Sequence, residues 1–137
     1  MIDTKARYTG IQSLLQEMQF NSACHFLALC SIAEEVNNLP IDFLQVVKLA
    51  RSTNLIRKDF YVNDACALLR LMTNRQWSVR KEKTLPSVIL DNEYTEAVWY
   101  NPRTKFTHFR RRGFDTLNNS ITVKEGNIAE YRVYTCY

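Results

Sequence analysis

The feature that most constrains this chain is the stretch of residues 19–36, which reads QFNSACHFLALCSIAEEV. From Ala23 onward it is apolar on nearly every side, with Phe26, Leu27, Leu29, Cys30, Ile32, Ala33 and Val36 spread around the helical circumference. A helix apolar all round belongs inside a domain or a membrane, and this run falls short of the ~20 residues that a bilayer span requires. It is therefore expected to be a central core helix, with Asn21 and Ser22 able to cap its first free N–H groups. Cys24 falls in its first turn, where the macrodipole and unpaired backbone donors favour a thiolate.

Around this helix the first half of the chain reads as helical. Ile11, Leu14, Leu15 and Met18 recur at helical spacing. Asn37, Asn38 and Pro40 stop the core helix, and Asp42 caps a second one carrying Phe43, Val46, Val47 and Ala50 on one face. Residues 55–61 are expected to be extended. Asn63 or Asp64 caps a third helix running to about Asn74.

The second half changes period. Residues 77–80, 97–100, 105–110, 120–123 and 128–134 read as strands, and residues 88–90 fit either a strand or a helical turn. Phe106 and His108 fall on one face of their strand, Thr107 and Phe109 on the other. Arg111, Arg112 and Gly113 form a compact hairpin loop, glycine supplying the left-handed residue, and Phe114 and Asp115 start the return strand. Helices first and antiparallel strands second make an α+β domain spanning residues 1–137.

Composition narrows the class. The chain has 137 residues, 46% of them hydrophobic and 23% charged, which describes a globule with a real core. The N-terminal residues lack an apolar signal region and no transmembrane stretch is present, so a cytoplasmic protein without membrane partners is expected. Cys24, Cys30, Cys66 and Cys136 form no CxxC pair and suggest reduced thiols. A zinc site from Cys24, His25, Cys30 and His108 matches no ligand spacing, and neither a metal nor a cofactor is expected.

The candidate chemistry comes from combining the core helix with the late hairpin. Across a tight loop, His108 and Asp115 would lie opposite each other, about 5 Å apart at Cβ. The carboxylate could hold the imidazole and leave its other nitrogen free as a base, with Asn118 as the alternative orienter if the register slips by one residue. Cys24 would attack, and Gln19 would donate to the developing oxyanion beside the Cys24 backbone N–H. His25 adjoins Cys24 but points about 100° away around the helix, a poor geometry for direct proton transfer. The basic tip of Arg110, Arg111 and Arg112 reads as a solvated hairpin end. The net charge of +4 and the absence of a recognition helix argue against nucleic acid as the main partner.

These residues resemble a family. Gln19 with the Cys24 helix, residues 55–64 as a connector, the Thr107-His108-Phe109 strand, the segment around Asp115 and the closing strand of residues 131–134 look like a small papain-like cysteine peptidase domain. It is of the kind found in bacteriocin-processing double-glycine peptidases and their compact phage and bacterial relatives. The resemblance implies N-terminal helices, with a buried nucleophile helix packed on a C-terminal antiparallel sheet. It also implies a Cys24–His108–Asp115 triad with Gln19 as oxyanion donor, acting on an amide or isopeptide bond of a protein or peptide substrate. Two departures accompany it: His25 stands where many such peptidases have glycine or asparagine, and the His108–Asp115 interval is short. Two rivals stand beside the hydrolase: a catalytically silent papain-like binding module, phage-encoded and aimed at a host protein, and a nucleic-acid-associated protein using the arginine tip.

Overall fold

The computed structural model describes residues 11, 14–15, 23–111 and 126–137. Ile11, Leu14 and Leu15 have helical backbone, and Leu15 belongs to the core. Helix α1, Cys24–Asn37, is buried along most of its length. Phe26, Leu29, Cys30, Ile32 and Ala33 have no exposed surface, each large apolar side chain contributing roughly 1.5–3 kcal/mol on burial. Its cap position is Ala23, which makes no side-chain capping bond, whereas Asn21 and Ser22 lie outside the described residues. Asn38 ends the helix in the left-handed region at φ 52°, a conformation asparagine tolerates better than most residues.

Helix α2, Phe43–Ser52, starts where Asp42 accepts the Gln45 N–H at 3.2 Å. Helix α3, Ala65–Thr73, starts where Asp64 accepts the Ala67 N–H at 3.0 Å, and Asn74 closes it at φ 56°. Both caps satisfy donors that the first helical turn leaves orphaned. The connector between α2 and α3 is not a continuous strand. Ile56 pairs with Val62 around a tight turn closed by the Arg57 N–H to the Tyr61 carbonyl at 2.9 Å. Phe60 in that turn takes φ 70°, an unusual value for a bulky residue. Its ring is buried 5.6 Å from Phe26 and 6.5 Å from Phe43, packing that holds the turn against its strain.

The sheet contains β1 (Trp77–Glu82), β2 (Glu93–Asn101), β3 (Phe106–Arg111) and β4 (Asn127–Cys136). Its order is β1-β4-β2-β3 with every pair antiparallel. Residues 88–90 are neither strand nor helix. Of the three strands expected after the hairpin tip, those from Phe114 and over residues 120–123 lie outside the described residues, and that over 128–134 falls within β4. Among the described residues, these three helices with a four-stranded antiparallel sheet make a small α+β fold. No helix among the described residues is long and apolar enough to cross a membrane.

Alternation settles which side chains meet α1. Tyr94, Glu96 and Val98 of β2 share a face with Phe109 and Arg111 of β3 and with Arg132 and Tyr134 of β4. That face carries α1, because His25 stacks on Phe109 and Arg111 reaches Ser31 and Glu35. Thr95, Ala97, Trp99 and His108 occupy the other face.

Candidate active site

The site grows from the first turn of α1. Cys24 and His25 line one cavity of about 260 Å³ together with Tyr61, Val62, Phe106, Thr107, Phe109 and Arg132. The connector turn supplies Tyr61 and Val62, and strand β3 supplies Phe106, Thr107 and Phe109.

His25 is held from two sides. Its ring stacks on Phe109 with centroids 4.1 Å apart, and its Nδ1 lies 2.7 Å from Oε2 of Glu96. Glu96 is 0% exposed, so its carboxylate depends wholly on internal partners. The second partner is the Tyr134 hydroxyl, which donates to Oε1 at 2.9 Å. Burial, and then the charge of Glu96, push that hydroxyl's pKa far above the ordinary phenol range, which keeps Tyr134 a neutral donor. A carboxylate accepting from Nδ1 favours the tautomer with its proton there and Nε2 as the acceptor.

The thiol sits in opposing fields. Burial pushes the Cys24 pKa up to about 11, and the charge of Glu96 adds to the rise. The backbone N–H groups of Phe109, His25 and Cys24 itself pull the other way without cancelling it. The helix N-terminus was expected to favour a thiolate; at 8% exposure, desolvation outweighs it. Cys24 is therefore a thiol at neutral pH, surrounded by donors that would meet a negative charge once one formed.

The remaining expected site residues fall elsewhere. His108 pairs with Trp99 on the face of the sheet away from α1, so β3 presents Phe109, not His108, to Cys24. The expected Cys24–His108 juxtaposition is therefore corrected: the alternation was read properly, but the other face meets the helix. Gln19, Asp115 and Asn118 lie outside the described residues. The basic tip is also corrected. Arg111 belongs to β3, is 7% exposed, and donates to the Ser31 hydroxyl at 3.3 Å and to the Glu35 carboxylate. Burial lowers its pKa to about 10, which still leaves it cationic. Arg110 projects to the opposite face beside Trp99 and Tyr131, and Arg112 lies outside the described residues. Arg110 and Arg111 thus do not form one solvated patch.

Sequence reasoning missed Glu96 and set His25 aside. A carboxylate between Tyr94 and Val98 on the apolar face of a strand was the available signal. Among the described residues, no three His, Cys, Asp or Glu side chains converge as a metal site. No protein-family model matches the chain, and no curated protein or solved structure matches it significantly.

Proposed function

We propose that the chain is a thiol-dependent hydrolase of an amide or isopeptide bond, built on a papain-like arrangement, with Cys24 as nucleophile and His25 as its base. The observation that carries this reading is that Cys24 and a histidine oriented by a buried carboxylate open onto the same cavity. His25 takes the role first expected of His108, and Glu96 the role expected of Asp115.

Because burial keeps Cys24 protonated, proton removal accompanies attack instead of preceding it. His25 Nε2 takes the thiol proton, directly or through one water, as Sγ bonds to the substrate carbonyl carbon. The developing oxyanion is met by backbone donors at the helix start and at Phe109. His25 then gives the proton to the departing amine as the C–N bond breaks, leaving a thioester. Water attacks the thioester with His25 again accepting a proton, and Cys24 is restored as the carboxylic acid leaves. Glu96 stabilises the imidazolium formed in each half-reaction, and Tyr134 holds Glu96 in place.

A specific observation also favours the second reading, a binding module that retains this fold without turnover: the Cys24 pKa is raised to about 11. Turnover of a quenched-fluorescence peptide library, followed by Cys24→Ala, separates the two. The hydrolase reading expects cleavage that disappears in Cys24→Ala with an unchanged melting temperature. Cleavage that survives this substitution, or no cleavage of any amide or isopeptide, removes it.

A further inference from the structure

We infer that the substrate of this site carries a carboxylate next to the bond attacked, anchored by Arg132 and Lys81; this rests on the hydrolase reading. The basis is a row of charge running across the sheet under the helix. Lys81 of β1 is the direct register partner of Arg132 of β4, Arg132 is partnered by Glu96 of β2, and Glu96 by Arg111 of β3. The row thus holds three cations and one carboxylate.

Three of its members already have partners, Arg132 through Glu130 at 3.6 Å. Glu96 uses its oxygens on His25 and Tyr134, and Arg111 reaches Glu35. At the β1 end of the row, exposed Lys81 adds a second cation beside Arg132. Like charges directly opposite on neighbouring strands are about 5 Å apart at Cβ and repel. An anion placed there converts the repulsion into shared attraction.

The cavities make that position reachable. Arg132 lines the Cys24–His25 cavity and also a second one of about 260 Å³, where Lys81, Asp64 and Tyr134 join it. Its guanidinium lies over the Phe109 ring at 5.1 Å, the ring on which His25 also stacks. One aromatic side chain thus positions both the base and the cation. Of the acidic groups nearby, Asp64 caps α3, and Glu130 is ion-paired with Arg132 Nε at 3.6 Å. A guanidinium offers further donors in a planar fork that matches a carboxylate. With the reacting carbonyl at Cys24, the carboxylate at Arg132 and Lys81 belongs to an acidic side chain or to a free C-terminus.

The test uses acetylated peptidyl acyloxymethyl ketones ending in Asp, Asn or Leu, with mass mapping of labelled Cys24. Calorimetric titration is run alongside with warhead-free peptides that are acidic and amidated, neutral with a free C-terminus, or neutral and amidated. We expect the Asp probe to label Cys24 at least about tenfold faster than the Asn probe, one charge-assisted contact being worth roughly that factor. The ratio should approach one in Arg132→Gln, persist in Arg132→Lys and shrink in Lys81→Gln, an exposed position that tolerates exchange. The calorimetric arms identify whether a side-chain or terminal carboxylate is preferred. Equal Asp and Asn rates with no carboxylate preference in binding overturn the inference while leaving the hydrolase reading standing. Carboxylate-selective binding lost in both glutamine variants, without labelling of Cys24, keeps the anchor and overturns the hydrolase. A preference unchanged in both glutamine variants also overturns the anchor.

Discussion

Helix α1 is tied to the sheet by a charged contact near each end, and the two contacts behave differently. At its start, His25 meets Glu96, whose other oxygen is taken by Tyr134. Toward its end, Arg111 meets Ser31 and Glu35 and lies over the Tyr94 ring at 5.7 Å. The Glu35 side chain is 51% exposed, so that pair is screened by solvent and the packing of the arginine stem matters more than its charge. Glu96 has no solvent at all, and its histidine faces a cavity containing a thiol. A glutamate and a tyrosine thus take part in a clamp at one end and in a site at the other. Access to a cavity separates them.

The largest expected effect tests the site end. Glu96→Gln keeps the shape of the side chain but removes the charge that supports an imidazolium, so turnover should fall by about 10²- to 10⁴-fold. Steady-state kinetics on the best cleaved peptide measures this, and an unchanged rate would make the contact a second clamp. Next comes the clamp end. Arg111→Ala should cost about 2 kcal/mol, or roughly 4–8 °C in melting temperature, while turnover per folded molecule stays near wild type. Arg111→Leu should recover part of the loss, because its side chain refills the volume left by the arginine stem without a cation to desolvate.

The third effect compares thiols. All four cysteines are free. With its pKa pushed up to about 11, Cys24 should react with iodoacetamide at least roughly tenfold more slowly at pH 7 than an ordinary thiol, its rate climbing as pH approaches 11. The sign follows from burial: a folded-state pKa above the unfolded value favours the native state below the unfolded pKa, and that contribution fades as pH rises through the folded one. Partly buried Cys66 should be alkylated first and fully buried Cys30 last, checked by peptide mapping at several pH values. The smallest effect is Tyr134→Phe, which leaves one Glu96 oxygen without its donor and should cost roughly 1–2 kcal/mol in denaturant titrations.

Local signals carried much of the architecture. Asp42 and Asp64 cap α2 and α3, and Asn38 and Asn74 close α1 and α3, because these residues act through bonds to their own neighbours. The apolar circumference of α1 announced its burial. What was not legible depends on distant partners. In β3 the alternation of Phe106, Thr107, His108 and Phe109 puts an aromatic side chain on each face, so period alone does not say which face meets the helix. Arg111 looked like a loop residue because its partners Ser31 and Glu35 are 80 and 76 positions away. Glu96 was overlooked because the expected strand began at Ala97, whereas β2 begins at Glu93. His25 was set aside on its angle to Cys24 alone, although a cavity can join two side chains that do not touch.

The most direct test of this site compares the two histidines of the chain. The rate at which a peptidyl acyloxymethyl ketone labels Cys24 is measured in wild type, His25→Gln and His108→Gln, with melting temperatures alongside. Loss of a general base should slow labelling of Cys24 by about 10²-fold or more in His25→Gln, while His108→Gln stays within a few-fold of wild type. Fast labelling in His25→Gln together with a collapse in a still-folded His108→Gln would contradict the site proposed here and restore His108 as the base.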